Sequence, residues 1–388
     1  MNEKEFQKII TEMGGESYIV GGAVRDKIMG RTPKDVDYVI TGITQEQMDQ
    51  RFDKIVGADF PVYLIEINHE ITEVALARRE RKTGAGYHGF ITETENVTIE
   101  EDLLRRDITI NAIAESTTGA LVDPYGGAKD IERGIIRHVS DAFEEDPLRI
   151  LRVARFMVRY GFDVHPDTIK KCQDIRLDLT FISGDRVRDE LFKVISDAGT
   201  DGVIRFLSFL DGIGALRFHF KELEGVVSKI RNIVKNNKDI AFPMMCLPIT
   251  NEEIDSLCDR LNISNKMNKN AKLVKQYINI FRDLRYMTPE KIIDFVAMNE
   301  NEIEGLLYVS EHYLGTDEDC RNKNHVIISI ARKAIDAIDG KVLIRAGLRP
   351  GPGFGDELRR HRAKKFMDYL EVVYPYVAGR NNDDNSHD

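Results

Sequence analysis

The sequence predicts an α+β protein, with an N-terminal head built on a mixed sheet with helices and an all-α remainder. Three observations predict it. Through roughly the first 140 residues, short β-branched runs alternate with short helical spacings. From residue 143 onward helical periodicity takes over, with few strand signals. At 388 residues the chain is also too long for one ordinary core, given about 100–200 residues per domain.

The elements follow in order. Residues 1–13 have helical spacing, with Phe6, Ile9, Ile10 and Met13 apolar. Tyr18-Ile19-Val20 reads as a buried strand. Gly21-Gly22 follows, and Ala23 to Met29 reads as a helix. Val36 to Ile40 is the next strand, 44–53 a helix, and Pro61–Ile67 and Glu70–Arg78 paired strands. Leu148, Ile150, Leu151, Val153, Ala154, Phe156 and Met157 crowd one later helix. Further helices are expected near 185–197, 201–210, 220–235, 251–261, 266–283, 289–297, 301–313, 324–338 and 356–373. The polar end, 379–388, reads as disordered.

Composition narrows the class. A hydrophobic share of 42% and a charged share of 31% suit a soluble protein. No apolar run is long enough for a membrane span, and Met1–Glu5 lacks a signal-peptide pattern. Cys172, Cys246, Cys258 and Cys320 are scattered, which excludes a CxxC zinc motif and fits reduced thiols in the cytoplasm. The net charge of −10 counts mildly against a nucleic-acid partner, although what matters is whether Lys and Arg cluster on one surface.

The chemistry begins at Asp35 and Asp37. Alternation along a strand puts Asp35, Asp37 and Val39 on one face, and Val36, Tyr38 and Ile40 on the other. Two carboxylates on one face repel unless a cation joins them, and magnesium suits oxygen ligands. Alone, the pair could be a solvated strand end. Gly21-Gly22-Ala23-Val24-Arg25-Asp26, between strand and helix, lets backbone N–H groups approach a phosphate, with Arg25 as a cation. Glu73, sharing a strand face with Ala75 and Ala77, supplies a third carboxylate. Such a trio suits two metal ions, one activating a hydroxyl and one holding a triphosphate.

Two segments suit a nucleotide. Arg106, Asp107 and Asn111 supply a phosphate cation, a hydroxyl acceptor and an amide. Arg149, Arg152 and Arg155, at i, i+3 and i+6, form a stripe opposite an apolar face. Asp146 before Pro147 reads as a helix cap. An Asp146/Arg149 pair also matches the amine and ring nitrogen that cytosine and adenine share. Uracil and guanine present the inverted pattern, which leaves buried polar groups unpaired.

With these motifs in view, the chain resembles the bacterial class II CCA-adding tRNA nucleotidyltransferases, of the polymerase-β-like nucleotidyltransferase superfamily. The resemblance runs from residue 17 to about 220, through Tyr18–Asp26, Asp35–Asp37, Phe60–Tyr63, Glu73–Tyr87, Arg105–Ala112, Asp123–Val139, Glu145–Gly161 and Gly184–Phe192. It implies a catalytic head (1–142), a nucleotide-recognition neck (143–220), a body (221–340) and a tail contacting tRNA (341–378). It implies that Asp35, Asp37 and Glu73 are the catalytic acids, with Asp35 and Asp37 binding Mg2+. Gly21, Gly22 and Arg25 then hold the triphosphate. Arg106, Asp107 and Asn111 hold phosphates and ribose, Asp146 and Arg149 read the base, and Arg152 and Arg155 complete the pocket. The implied reaction adds CCA to the tRNA 3′ end from CTP and ATP in the cytoplasm, with no membrane and no obligate protein partner.

The alternatives are a poly(A) polymerase, a CC- or A-adding enzyme on the same fold, and a silent RNA-binding protein. The full-length Arg78–Tyr87 segment favours complete addition, and Val56–Phe60 lacks the Gly-Arg-Arg-Phe pattern of poly(A) polymerases. The intact acidic trio argues against a silent protein. His387-Asp388 is the one His-Asp dipeptide, so the added phosphohydrolase domain of many relatives is not expected. A basic run, Arg359, Arg360, Arg362, Lys364 and Lys365, is the candidate tRNA contact.

Overall fold

The computed structural model describes residues 1–56, 61–82, 90–230, 238, 240–277, 284, 287–298, 303 and 318–373. Outside them lie 57–60, residues 83–87 of the Arg78–Tyr87 segment, nearly all of the expected helix at 301–313, and the terminus at 379–388. The chain divides into two compact units, Met1–Ser228 with Asp259–Asn262, and Lys229–Cys258 with Ile263–Asp388.

The first unit opens with helix α1 (Glu3–Glu12), strand β1 (Glu16–Val20), helix α2 (Gly22–Ile28), strand β2 (Asp37–Thr41) and helix α3 (Gln45–Arg51). Strands β3 (Lys54–Val56), β4 (Val62–Ile67) and β5 (Glu70–Leu76) follow, then a separate pair, β6 (Arg79–Lys82) with β7 (Phe90–Glu93). Helix α4 (Ile99–Leu104) leads to β8 (Ala114–Ser116), β9 (Leu121–Val122) and α5 (Gly127–Arg133). Seven strands form one sheet in the order β3-β4-β5-β2-β1-β8-β9, and β2 lies parallel to β5.

Side-chain alternation gives this sheet two apolar faces. Tyr38, Ile40, Val74 and Leu76 pack under α1, where Phe6 and Ile10 are fully buried. Each such side chain contributes about 1.5–3 kcal/mol. A capping box between Asn2 and Glu5 starts α1, satisfying N–H groups that the first turn leaves open. Val20, Val39 and Ala77 face the other way, against Leu103 of α4.

Beyond the head, β10 (Ile135–Ile136) and β11 (Asp163–Val164) form a small parallel pair around α6 (Leu148–Tyr160). Helices α7 (Pro166–Ile175), α8 (Gly184–Gly212) and α9 (Leu216–His219) complete the unit. Helix α8 merges the two helices expected at 185–197 and 201–210, and it is broken at Gly199, where φ is 55° and ψ −146°. An unbroken helix of that length would separate its ends by about 43 Å. Yet His219 Nε2 donates to the Leu179 carbonyl at 2.8 Å, just before α8 begins. The chain therefore turns back at Gly199.

Two expectations are corrected. The helix expected at 220–235 is replaced, among the described residues, by 3-10 turns at Lys221–Leu223 and Val227–Lys229. Gly225, at φ +71°, interrupts any helix there. Asp35 is not in the strand: β2 starts at Asp37, opposite the last residue of β1, Val20. With no β1 residue left to pair, positions 35 and 36 stay in the loop.

The second unit is helical among its described residues: α10 (Ala241–Cys246), α11 (Asn251–Arg260, ending in the first unit), α12 (Asn265–Tyr277), α13 (Pro289–Met298), α14 (Glu318–Ala337), α15 (Gly340–Arg345) and α16 (Phe354–Val373). Its core gathers Phe295, Ile328, Ala331 and Phe366. Cys172, Cys246 and Cys258 are buried free thiols, and Cys320 is half-buried. Among the described residues no helix is long and apolar enough to cross a membrane.

Candidate active site

Sheet register brings the acidic residues together. Val20 pairs with Asp37, so Gly21 follows directly beside it. Tyr38 pairs with Val74 in the parallel ladder, so Glu73 lies beside Asp37 on the other side. Asp37 shares the Val39 face, as the alternation predicts. Asp35, Asp37 and Glu73 are all open to solvent, but the Asp37 carboxylate lies against a cavity wall. Loss of water there, then the Glu73 charge and more weakly Asp35, raise its pKa above the usual carboxylate range, while Arg106 pulls it back. Oxygen donors that repel one another in this way fit a hard divalent cation. Among the described residues no group of three His, Cys, Asp or Glu side chains is gathered closely enough to hold a metal ion.

The cavity has a volume of about 540 Å³. Of the residues singled out in the sequence, Gly21, Gly22, Arg25, Asp37, Arg106 and Asp107 line it. Asn111, Asp146, Arg149, Arg152 and Arg155 complete that group. Asp35 and Glu73 do not line it and act on Asp37 from its edge.

Each arginine is held from behind. Arg25 is 5% exposed. Its Nε and Nη2 donate to Asp26 Oδ1 at 3.0 and 2.9 Å, and its Nη1 donates to Asn111 Oδ1. Arg106 donates to Asp102 Oδ2 through Nε and Nη2, at 3.3 and 3.0 Å, and through Nη1 to the Asn111 carbonyl at 3.3 Å. Arg105 takes the other oxygen of Asp102, at 2.6 Å through Nη2. Asp102 is fully buried, and burial alone would raise its pKa, but the two guanidiniums outweigh that and lower it. Asp107 accepts from Arg152 Nε at 2.7 Å and Asn111 Nδ2 at 3.1 Å. Burial pushes it up, yet Arg152 and Asn111 prevail and hold it down to about 2. Arg155 donates to the buried Glu190 at 2.5 Å.

At the N-terminal end of α6, Asp146 Oδ1 accepts from the Leu148 N–H at 3.1 Å and Oδ2 from Arg186 Nη2 at 2.7 Å. Arg149 donates through Nη1 to the Ala142 carbonyl at 2.6 Å and through Nη2 to the Arg105 carbonyl at 2.7 Å. The fork is thus fixed in orientation. A carboxylate has about four lone-pair sites, so Asp146 can still accept from a base.

Sequence reasoning missed Asp102, Arg105, Phe156, Arg159 and Arg186. The first is legible as an acid three and four residues before two arginines, at helical spacing. Arg186 carries no such signal, since it reaches Asp146 only through the fold. Phe156 was read as core, but it lines the cavity.

Gly21 has φ 66° and ψ −119°, and a Cβ there would lie 2.8 Å from Arg106 Nη1. Gly21→Ala is expected to cost about 1–3 kcal/mol in backbone strain. It should displace Arg106 and raise KM for nucleotides; an unchanged KM would refute this placement.

In the second unit the basic run lies on α16. Arg359 pairs with Asp294 at 3.2 Å and with Asp356, and Arg360 pairs with Glu357 at 2.8 Å. Arg362 donates to the Ile338 carbonyl at 2.8 Å, and Lys365 lies 4.7 Å from the Tyr369 ring centroid. Lys364 is exposed. Much of the run's charge is thus engaged locally, in exposed pairs worth little each.

A mixed sheet presenting acids beside a glycine turn, under an arginine-lined cavity, defines a nucleotidyltransferase. Residues 17–137 match the family model described as the Poly A polymerase head domain. The chain is 33% identical to the Multifunctional CCA protein of Nitrosococcus oceani, over 90% of this chain and 97% of that protein. It is 34% identical to the CCA-adding enzyme of Coxiella burnetii, over 89% and 93%. The Bacillus stearothermophilus CCA-adding enzyme in complex with CTP shares the fold, with a TM-score of 0.67 at 24% identity over 97% and 96% of the two chains. The chain belongs to the CCA-adding enzymes.

Proposed function

We propose that the protein adds the 3′-terminal CCA to tRNA without a nucleic-acid template, taking CTP and ATP and releasing pyrophosphate. Its likeness to CCA-adding enzymes over about nine-tenths of the chain supports this over a poly(A) polymerase. One observation carries the residue assignment. The cavity has Asp146 and Arg149 at one end of α6, and the Gly21–Gly22 turn beside Asp37 along its wall.

In this reading Asp35 and Asp37 hold Mg2+, with Glu73 as the third catalytic acid, and the cation when bound neutralises the triphosphate and favours the attacking oxygen. Gly21, Gly22, Arg25 and Arg106 seat the phosphates. Asp107 and Asn111 fix Arg152 and Arg25 and border the ribose. Arg155 keeps α6 against α8 through Glu190. Positioning and charge neutralisation do most of the work. We further propose that residues 1–142 act as head, 143–220 as neck, 221–340 as body and 341–378 as tail. The tail offers tRNA the exposed Lys364 with Arg359, Arg360, Arg362 and Lys365. Contacts to backbone and shape let one enzyme serve many tRNAs. The site of action is the cytoplasm.

The test is single-nucleotide incorporation into tRNA lacking its 3′ end. Asp146→Ala should reduce CTP incorporation and bring UTP within about tenfold of CTP, since one wrongly paired base edge is otherwise strongly rejected. Selectivity equal to that of the unaltered protein would sink the base-reading assignment.

A further inference from the structure

We propose that Tyr160, with Arg31 and Arg159, forms a subsite for the terminal phosphates of the incoming nucleotide and for the pyrophosphate that leaves. The proposal deepens the reading above and rests on its placement of the base at the Asp146–Arg149 end.

Phe156 and Tyr160 stand one turn apart on α6, with rings parallel within 5° and centroids 6.0 Å apart. Three guanidiniums gather on the Tyr160 ring: Arg25 at 4.9 Å, Arg31 at 5.3 Å and Arg159 at 5.5 Å. The negative ring face attracts each cation, but three like charges around one ring repel each other. Asp26 offsets Arg25 at 2.9 Å, and Asp197 stands 3.7 Å from Arg159. Among the described residues Arg31 has no ion-pair partner, and it is exposed. A cation cluster short of one counter-charge is suited to a polyanion.

Position says which polyanion. Arg159 lines the cavity along with Arg149 and Arg25. From Arg149 to Arg159, α6 rises about 15 Å, close to the span of an extended nucleoside triphosphate. A base read at one end of the helix puts its terminal phosphates at the other. In the transfer, the primer 3′-oxygen bonds to the α-phosphorus and gives its proton to solvent. The bond from that phosphorus to the bridging oxygen breaks, and pyrophosphate leaves with the electron pair. Arg159 lines the same cavity as Arg25, and Arg31, beyond the C-terminal end of α2, joins both on the Tyr160 ring, at the end of α6 where the terminal phosphates would lie.

Steady-state kinetics of Arg31→Ala, Arg31→Lys and Tyr160→Leu test this, with CMP and pyrophosphate as inhibitors. Losing one charge-assisted contact should raise KM for CTP and ATP, and Ki for pyrophosphate, by about tenfold. The Ki of CMP, the KM of tRNA and the preference for CTP over UTP should hold, and Arg31→Lys should recover part of the loss. An unchanged pyrophosphate Ki overturns the proposal. So does a rise confined to the tRNA KM, which would make Arg31 an RNA-backbone contact, or an equal loss of CMP, which would mean a structural role. If Asp146→Ala leaves base choice intact while Arg31→Ala weakens pyrophosphate, the base assignment fails and the phosphate subsite stands.

Discussion

Asp37→Asn is expected to reduce nucleotidyl transfer on the order of a thousand-fold or more, because in the proposed mechanism several kcal/mol of transition-state stabilisation depend on a cation held with its help. The same change should not destabilise the protein in the absence of divalent cations. The Asp37 carboxylate is raised in pKa by its lost hydration and by Glu73. A raised carboxylate contributes stability at pH values below its unfolded pKa. That stability is lost as pH rises through the folded pKa. At neutral pH the ionised group therefore costs stability, and an amide removes that cost. Thermal unfolding with a chelator present should give an equal or higher Tm for Asp37→Asn. A fall of several degrees would show that Asp37 is structural. Transfer should also decline at acid pH, since a protonated Asp37 does not hold a cation.

Asp107→Asn should act in the opposite sense. Asp107 is buried, and Arg152 and Asn111 lower its pKa from 3.8 to about 2, which corresponds to about 2 kcal/mol of stability. A depressed carboxylate contributes at pH above its unfolded value, and the contribution disappears as pH falls through its folded value. The unaltered protein should therefore lose this stability between pH 3.8 and about 2, and the variant should lack that step. Arg152, left without its acid, would swing from the cavity wall and raise KM for both nucleotides about tenfold or more. Equal stability at pH 7 by chemical denaturation would contradict this account.

The head was legible in the sequence because its signals are local. Alternation around Asp37 and Glu73 correctly assigned their faces, since one face must meet α1 and the other α4. The glycine turn was legible because its backbone conformation excludes other residues. Asp35 was misplaced because strand ends depend on how far the partner strand runs, and no property of residues 33–36 reports where β1 stops. The region after Phe220 was misread as a helix because its apolar spacing outweighed Gly225. Arg186 and Tyr160 escaped notice for another reason. Their partners, Asp146 and Arg31, are 40 and 129 positions away, and such pairs exist only after α6, α2 and α8 have packed.

The backing of the cavity arginines has a consequence for what the protein ignores. Arg25, Arg105, Arg106, Arg152, Arg155 and Arg186 each already face Asp26, Asp102, Asp107, Glu190 or Asp146. A stray anion meets little surplus attraction there, because local acids already neutralise most of the charge. What the lattice offers instead is rigid spacing, which favours a molecule that presents its charges at matching separations. On the proposed reading, selectivity over inorganic phosphate then comes from spacing more than from charge, even though half of the residues lining the cavity are arginines.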